Sequence, residues 1–189
     1  MSPETGLSAQ VVRGALKRAG EVLSELVEKR FKITEVSMTQ HEAEELPNLL
    51  GDASTPVCAS FFQVRGELPG FLLLVMPVHE VAALLEPLVG QGEGEMADSA
   101  IGEIGNIVGS AFLNHIADHY HIYAAPTPPQ VFRDMIGALM GSLAAVLVSG
   151  GKLEVPVVRT QLTQNEGVLS AFLLWIPESF SLDELRQSK

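Results

Sequence analysis

The chain has 189 residues, of which 47% are hydrophobic and 19% charged, and its formal net charge is −11. That length and composition exclude a disordered chain and suit a single core or two small fused units. An acidic chain without a Lys/Arg-rich stripe is a poor partner for nucleic acid or an anionic membrane, and its longest uncharged stretch, residues 135–151, is too short and too interrupted by glycine and serine to span a bilayer.

The N-terminus, MSPETGLSAQ, has neither the basic start nor the apolar run of a signal peptide, so a cytoplasmic location is expected. Residues 8–30 follow with helical periodicity through Val11, Val12, Ala15, Leu16, Ala19, Leu23, Leu26 and Val27. FKITEVSM then reads as a strand. Residues 42–50 form a short helix interrupted by Pro47. Residues 56–88 contain two β-rich runs joined by a polar turn with glycine, then an amphipathic segment. Cys58 lies in the first of these runs. As the single cysteine it can form no internal disulfide or cysteine-based metal cluster, and it is expected to be a small buried hydrophobe.

GQGEGE, residues 90–95, marks a junction, and the same order of elements then repeats. Residues 98–120 form a second long helix, HIYAAPTPP a proline-bearing strand, and residues 134–148 a small-residue helix expected to be buried between layers. Residues 155–185 repeat the hairpin and its closing segment, with Pro177 where the first hairpin has Pro77. The expected fold is α/β (α+β): a largely antiparallel sheet flanked by long helices. It forms one domain over residues 1–189, built from two pseudo-repeats at about 6–90 and 96–187.

The second long helix has unusual content. Gly102, Gly105 and Gly109 each cost about 1 kcal/mol relative to alanine inside a helix. They form one stripe, which either admits a crossing helix or leaves room for a partner. Ser99, Glu103, Asn106 and Ser110 form a narrow polar edge opposite Ile101, Ile104, Val108 and Phe112. The edge reads as an ordinary solvated face or as a site. A metal site is disfavoured: His115 and His119 are spaced i, i+4, but His115 falls on the apolar side and His121 begins the next strand. Nucleophilic catalysis by Ser99 or Ser110 lacks a base on the stripe and a G-x-S-x-G turn. Glu103 and Asn106, i and i+3, project side by side. A carboxamide there could orient water toward a phosphoryl group on another protein.

Ser99-x3-Glu103-x2-Asn106-x22-Pro129 resembles the (Asp/Ser)-x3-Glu-x2-Asn-x22-Pro signature of the CheC/CheX/FliY family of chemotaxis phosphatases, and SAIGEIGNIVGSAFLNHIAD and RDMIGALMGSLAAVL resemble CheC most closely. The resemblance implies hydrolysis of the aspartyl phosphate of a CheY-type response regulator. In it, Asn106 aligns the water, Glu103 pairs with the regulator's active-site lysine, and Ser99 and Pro129 support the site. It also implies no cofactor on this chain, Mg²⁺ on the regulator, a monomer or weak oligomer, and contact with the deamidase CheD through residues 134–148. The alternative is a non-catalytic adaptor binding CheD or a regulator. Aligning ALKRAGEVLSEL with AIGEIGNIVGSAFL puts Gly14, Arg18, Glu21 and Glu25 at the first-half positions, with Glu44 in place of Pro129. A first-half site with Arg18 for glutamate and Glu21 for asparagine is degenerate, leaving one competent site.

Overall fold

Ser8 starts the first helix. Its hydroxyl accepts the Gln10 N–H at 3.3 Å, which satisfies one of the free donors of a helix start. In the computed structural model, which describes residues 6–90, 92–164 and 170–181, this helix is α1 (Ala9–Leu26). It leads into β1 (Phe31–Glu42) and a 3-10 turn at Ala43–Asn48 that contains Pro47. The first hairpin is β2 (Pro56–Gly66) and β3 (Gly70–Pro77), followed by α2 (Val78–Val89). Gly90 closes α2 in the left-handed conformation that glycine adopts without a Cβ penalty. The long helix α3 runs from Glu95 to Tyr120 and so takes in the end of the expected junction.

The proline-bearing strand is two strands. The prolines of PTPP cannot donate to a ladder, so β4 (Ala124–Pro126) stops there and β5 (Gln130–Met135) resumes beyond. At the break Thr127 substitutes for regular pairing: its N–H donates to the Gln63 carbonyl and its hydroxyl accepts the Gln63 N–H. Asp134 and Met135 belong to β5, and α4 spans Ile136–Ser149. The second hairpin is β6 (Glu154–Gln164) and β7 (Ser170–Pro177). Its turn, residues 165–169, and the closing segment from residue 182 lie outside the described residues.

The sheet order is β1-β6-β7-β3-β2, with β4 and β5 sharing the outer edge of β2, and every pairing is antiparallel. The halves exchange strands: β1 completes the second hairpin, and β4–β5 complete the first. Central strands covered on both faces read as continuous apolar runs such as FLLLVM. Leu72, Leu74 and Trp175 point toward α1, α2 and α3, while Leu73, Val75 and Leu174 point toward the 3-10 turn and α4. Cys58 is fully buried in the first of these layers. The expectation that α4 is buried between layers is corrected. It covers the outer face of the sheet through Ile136, Met140, Leu143 and Leu147, and its far side is open, with Val146 59% exposed.

Candidate active site

The glycines of α3 face the sheet. A methyl group added at Gly105 would lie 2.5 Å from Ser60 Cβ and 3.1 Å from Phe62, both on β2. One at Gly109 would lie 2.9 Å from Leu72 on β3, and one at Gly102 would touch Pro129 and Val131 at 3.4 Å. The Ser60 hydroxyl, fully buried, donates to the Ile101 carbonyl at 2.8 Å and ties helix to strand at the closest point. The stripe therefore admits neither a crossing helix nor a partner; it lets α3 settle onto β2 and β3. The close helix contact lies elsewhere, where Gly14 of α1 passes the His115 ring.

With that side pressed down, the polar edge faces outward. Ser99 and Glu103 are exposed, and Asn106 and Ser110 are half-buried. Among the described residues the side chains of Glu103 and Asn106 make no hydrogen bond or ion pair, so both are free to engage another molecule. Pro129 packs on Gly102, one residue from Glu103, as a rigid stop between β4 and β5. An open groove of ≈ 520 Å³ runs beside Asn106 between α3 and α1, lined also by Arg18, Val22, Ser110, Asn114, His115 and Asp118. His115 is exposed, not on the apolar side. The α1–α3 contact takes up the core face there and leaves the imidazole at the rim. Among the described residues no three His, Cys, Asp or Glu side chains gather as a metal site.

The first turns of α3 are held by a pair that the sequence pattern did not single out. Arg133 of β5 donates from Nε to Asp98 at 2.7 Å and from NH2 to the Gly92 carbonyl at 3.0 Å. Burial alone would lower the pKa of the Arg133 guanidinium, but the hydrogen bond it donates to the Asp98 carboxylate holds it above its ordinary value. Beneath it, burial pushes the Cys58 thiol from 9.0 up to about 11, against the opposing pull of Arg133. Arg133 and Cys58 are register partners across β2 and β5.

No protein-family model matches the chain. Among curated proteins it is 28% identical over 151 residues to the CheY-P phosphatase CheC of Bacillus subtilis, covering 75% of this chain and 72% of that one. Among solved structures, Thermotoga maritima FliY superposes with a TM-score of 0.61 at 17% identity, over 96% of both chains. CheX in the CheX–CheY–BeF3–Mg²⁺ complex of Borrelia burgdorferi superposes with a TM-score of 0.58 at 13% identity, over 88% of this chain and 97% of that one. The chain is CheC-like in sequence and in fold.

The internal symmetry of this CheC-like chain corrects the first-half alignment. Glu28 and His121 end α1 and α3 in the same left-handed conformation, with φ of 52° and 54°. Lys29 N–H bonds the Ser24 carbonyl as Ile122 N–H bonds that of Ala117. Phe31 opens β1 as Ala124 opens β4. Each pair is 93 residues apart. That offset puts Gln10 opposite Glu103, Arg13 opposite Asn106, Gly6 opposite Ser99 and Val36 opposite Pro129. Gly14, Arg18, Glu21, Glu25 and Glu44 are therefore not the counterparts of the second-half motif; the broad apolar face of a helix recurs at i+7 and i+8, which permits an eight-residue slip. Arg18 pairs with Glu21 at 3.6 Å and opens on the groove beside Asn106.

Proposed function

We propose that the chain hydrolyses the aspartyl phosphate of a CheY-type response regulator in the cytoplasm. Asn106 orients the attacking water, and Glu103 grips a lysine of the regulator. The observation that carries this reading is the pair itself: two adjacent, outward, unpartnered polar side chains on a helix pinned to the sheet beneath them. Rigid support matters because phosphoryl transfer needs positioning more than covalent chemistry from the protein. Mg²⁺ on the regulator would neutralise charge on the phosphoryl oxygens. In-line attack by the water then breaks the P–O bond to the aspartate, releasing inorganic phosphate and a free carboxylate. The protein forms no covalent bond to phosphorus. Likeness to a CheY-P phosphatase in sequence and to CheX, which has been seen in complex with CheY, supports the choice of partner.

The test is the decay of phosphorylated CheY-type regulators of the source organism in Mg²⁺, with wild type, Asn106→Ala and Glu103→Ala in parallel. Wild type accelerates decay, Asn106→Ala loses on the order of 10²-fold in kcat, and Glu103→Ala loses chiefly in KM. Equal decay with wild type and Asn106→Ala would refute the assignment. A second reading, an adaptor for CheD, rests on the open side of α4. There a ≈ 340 Å³ groove runs between Phe61, Phe71, Phe132, Leu139, Leu143 and Val146. Binding of CheD lost on Val146→Asp, with no effect of wild type on regulator decay, would favour the adaptor.

A further inference from the structure

The groove beside Asn106 contains one guanidinium, and nothing in the proposed hydrolysis uses it. Arg18 extends from α1 into the space shared with Asn106, Ser110, Asn114, His115 and Asp118. Its only ion-pair partner among the described residues is Glu21, at a loose 3.6 Å, and the two side chains are 50% and 47% exposed. Glu21 is shared with Lys17 at 3.9 Å, so neither cation is committed to it. A pair so open and so long contributes little to stability and exchanges readily for a better acceptor. The turn toward Glu21 also carries the guanidinium along the groove toward the Asn106 end, because α1 and α3 run antiparallel: Gly14 lies against His115 near the end of α3, and Val22 lines the groove with Ile107.

The surroundings give this cation a purpose. The chain has a net charge of −11. An aspartyl phosphate is itself anionic and is ringed by the carboxylates that hold its Mg²⁺. Two acidic surfaces repel during encounter unless a local charge of opposite sign offsets them. Besides Arg18, the ionisable side chains lining the groove are His115 and Asp118 of α3; Glu103 stands one turn from Asn106, Glu21 pairs with Arg18, and Lys17 pairs with Glu21. Arg18 is the permanent cation that lines the groove itself.

We infer that Arg18 is a docking cation, which leaves Glu21 to pair with an acidic side chain on the rim of the regulator's phosphorylation site and so sets affinity for the regulator at the Asn106 site. This rests on the phosphatase reading and names a specificity determinant for the same site. Its signature is electrostatic: an effect on KM and on its salt dependence, with the chemical step left to Asn106.

The experiment compares wild type, Arg18→Glu and Arg18→Lys in two readouts. The first is Mg²⁺-dependent decay of acetyl-phosphate-charged CheY-type regulators of the source organism; the second is binding of the same regulators activated with beryllium fluoride. Reversing one exposed charge at short range should raise KM and Kd about ten-fold, with kcat kept within about two-fold. The ratio of the two KM values should shrink as salt rises. Arg18→Lys should stay within about three-fold of wild type, because the charge is preserved. Unchanged KM and Kd in Arg18→Glu, or a Lys variant as impaired as the Glu variant, would overturn the inference. Wild type that binds the activated regulator without accelerating its decay would sink the phosphatase reading alone; Kd would then still decide the role of Arg18. No binding by wild type would remove both.

Discussion

Replacing each glycine of α3 by alanine measures how closely the helix sits on the sheet. In an isolated helix each change would stabilise by about 1 kcal/mol. At Gly102 the new methyl meets Pro129 and Val131 at 3.4 Å, ordinary contact, so most of that gain survives. At Gly109 the obstacle is the terminal methyl of the buried Leu72 side chain at 2.9 Å, which can give more than a backbone-fixed atom can, and gain and cost roughly cancel. At Gly105 the obstacles are Ser60 Cβ at 2.5 Å and the Phe62 ring at 3.1 Å. Ser60 Cβ cannot give, because it is fixed to the β2 backbone, and the Phe62 ring is buried in the core. Overpacking costs about 1–3 kcal/mol, and stretching the buried Ser60–Ile101 bond adds about 1 kcal/mol, so the net loss is about 1–3 kcal/mol. In a chain of this length each kcal/mol moves Tm by about 2–4 °C. Thermal melts followed by circular dichroism should therefore place Gly102→Ala above wild type and Gly105→Ala about 5–10 °C below Gly102→Ala. Gly105→Ala should also impair the proposed hydrolysis, since lifting α3 displaces Glu103 and Asn106 together. Adding Ser60→Gly should recover part of both losses. A Gly105→Ala protein as stable as Gly102→Ala would show that α3 does not rest on β2 at Ser60.

Two further outcomes follow from the same geometry. Cys58 has a folded pKa of about 11 against 9.0 when free, so its contribution to stability is complete below pH 9 and is lost as pH rises toward 11, up to about 2–3 kcal/mol. Chemical denaturation between pH 8 and 11 should show this slope in wild type and not in Cys58→Ala, and an equal slope in both would refute it. In an Asn106→Ala background, Gln10→Glu with Arg13→Asn should not restore hydrolysis, because Gly6, opposite Ser99, lies ahead of the start of α1 at Ala9, whereas Ser99 lies inside α3. Recovered turnover there would mean that side chains alone had been lost.

Periodicity was enough to read α1, α3 and the two hairpins, because each buries one regular face and ends on a proline or an αL residue. It missed the break between β4 and β5, since a strand whose ladder is patched by the Thr127 side chain looks continuous as a sequence. It misassigned the glycine stripe because a wheel shows which residues share a side and not what lies against it. The partner of Gly105 is Ser60, 45 positions earlier in the chain and on a strand of the other half. Asp98–Arg133 was illegible for the same reason: a charged residue inside a strand pattern carries no mark of its partner. The polar edge was legible as a pattern, and the fold adds that Glu103 and Asn106 are outward and unpartnered.

The corrected symmetry explains why the stripe that faces β2 and β3 has no counterpart at the matching positions of α1. At an offset of 93 residues, Val12 and Leu16 of α1 stand where α3 has Gly105 and Gly109, and both are buried. Val12 and Leu16 hold the first turns of α1 off the sheet, and only Gly20, further along, comes close to Leu162 of β6, whereas α3 approaches the backbones of β2 and β3 closely. Seating a helix on a sheet without intervening side chains gives up apolar contact and helix propensity. What it provides is a fixed height and rotation for the opposite edge, the one that carries Glu103 and Asn106. The strands that supply this seat belong to the first half. A first half with Gln10 and Arg13 in place of the pair is thus still required by the second, and stabilising α3 by filling its glycine stripe is expected to trade position at the polar edge for helix propensity at Gly105 and not at Gly102.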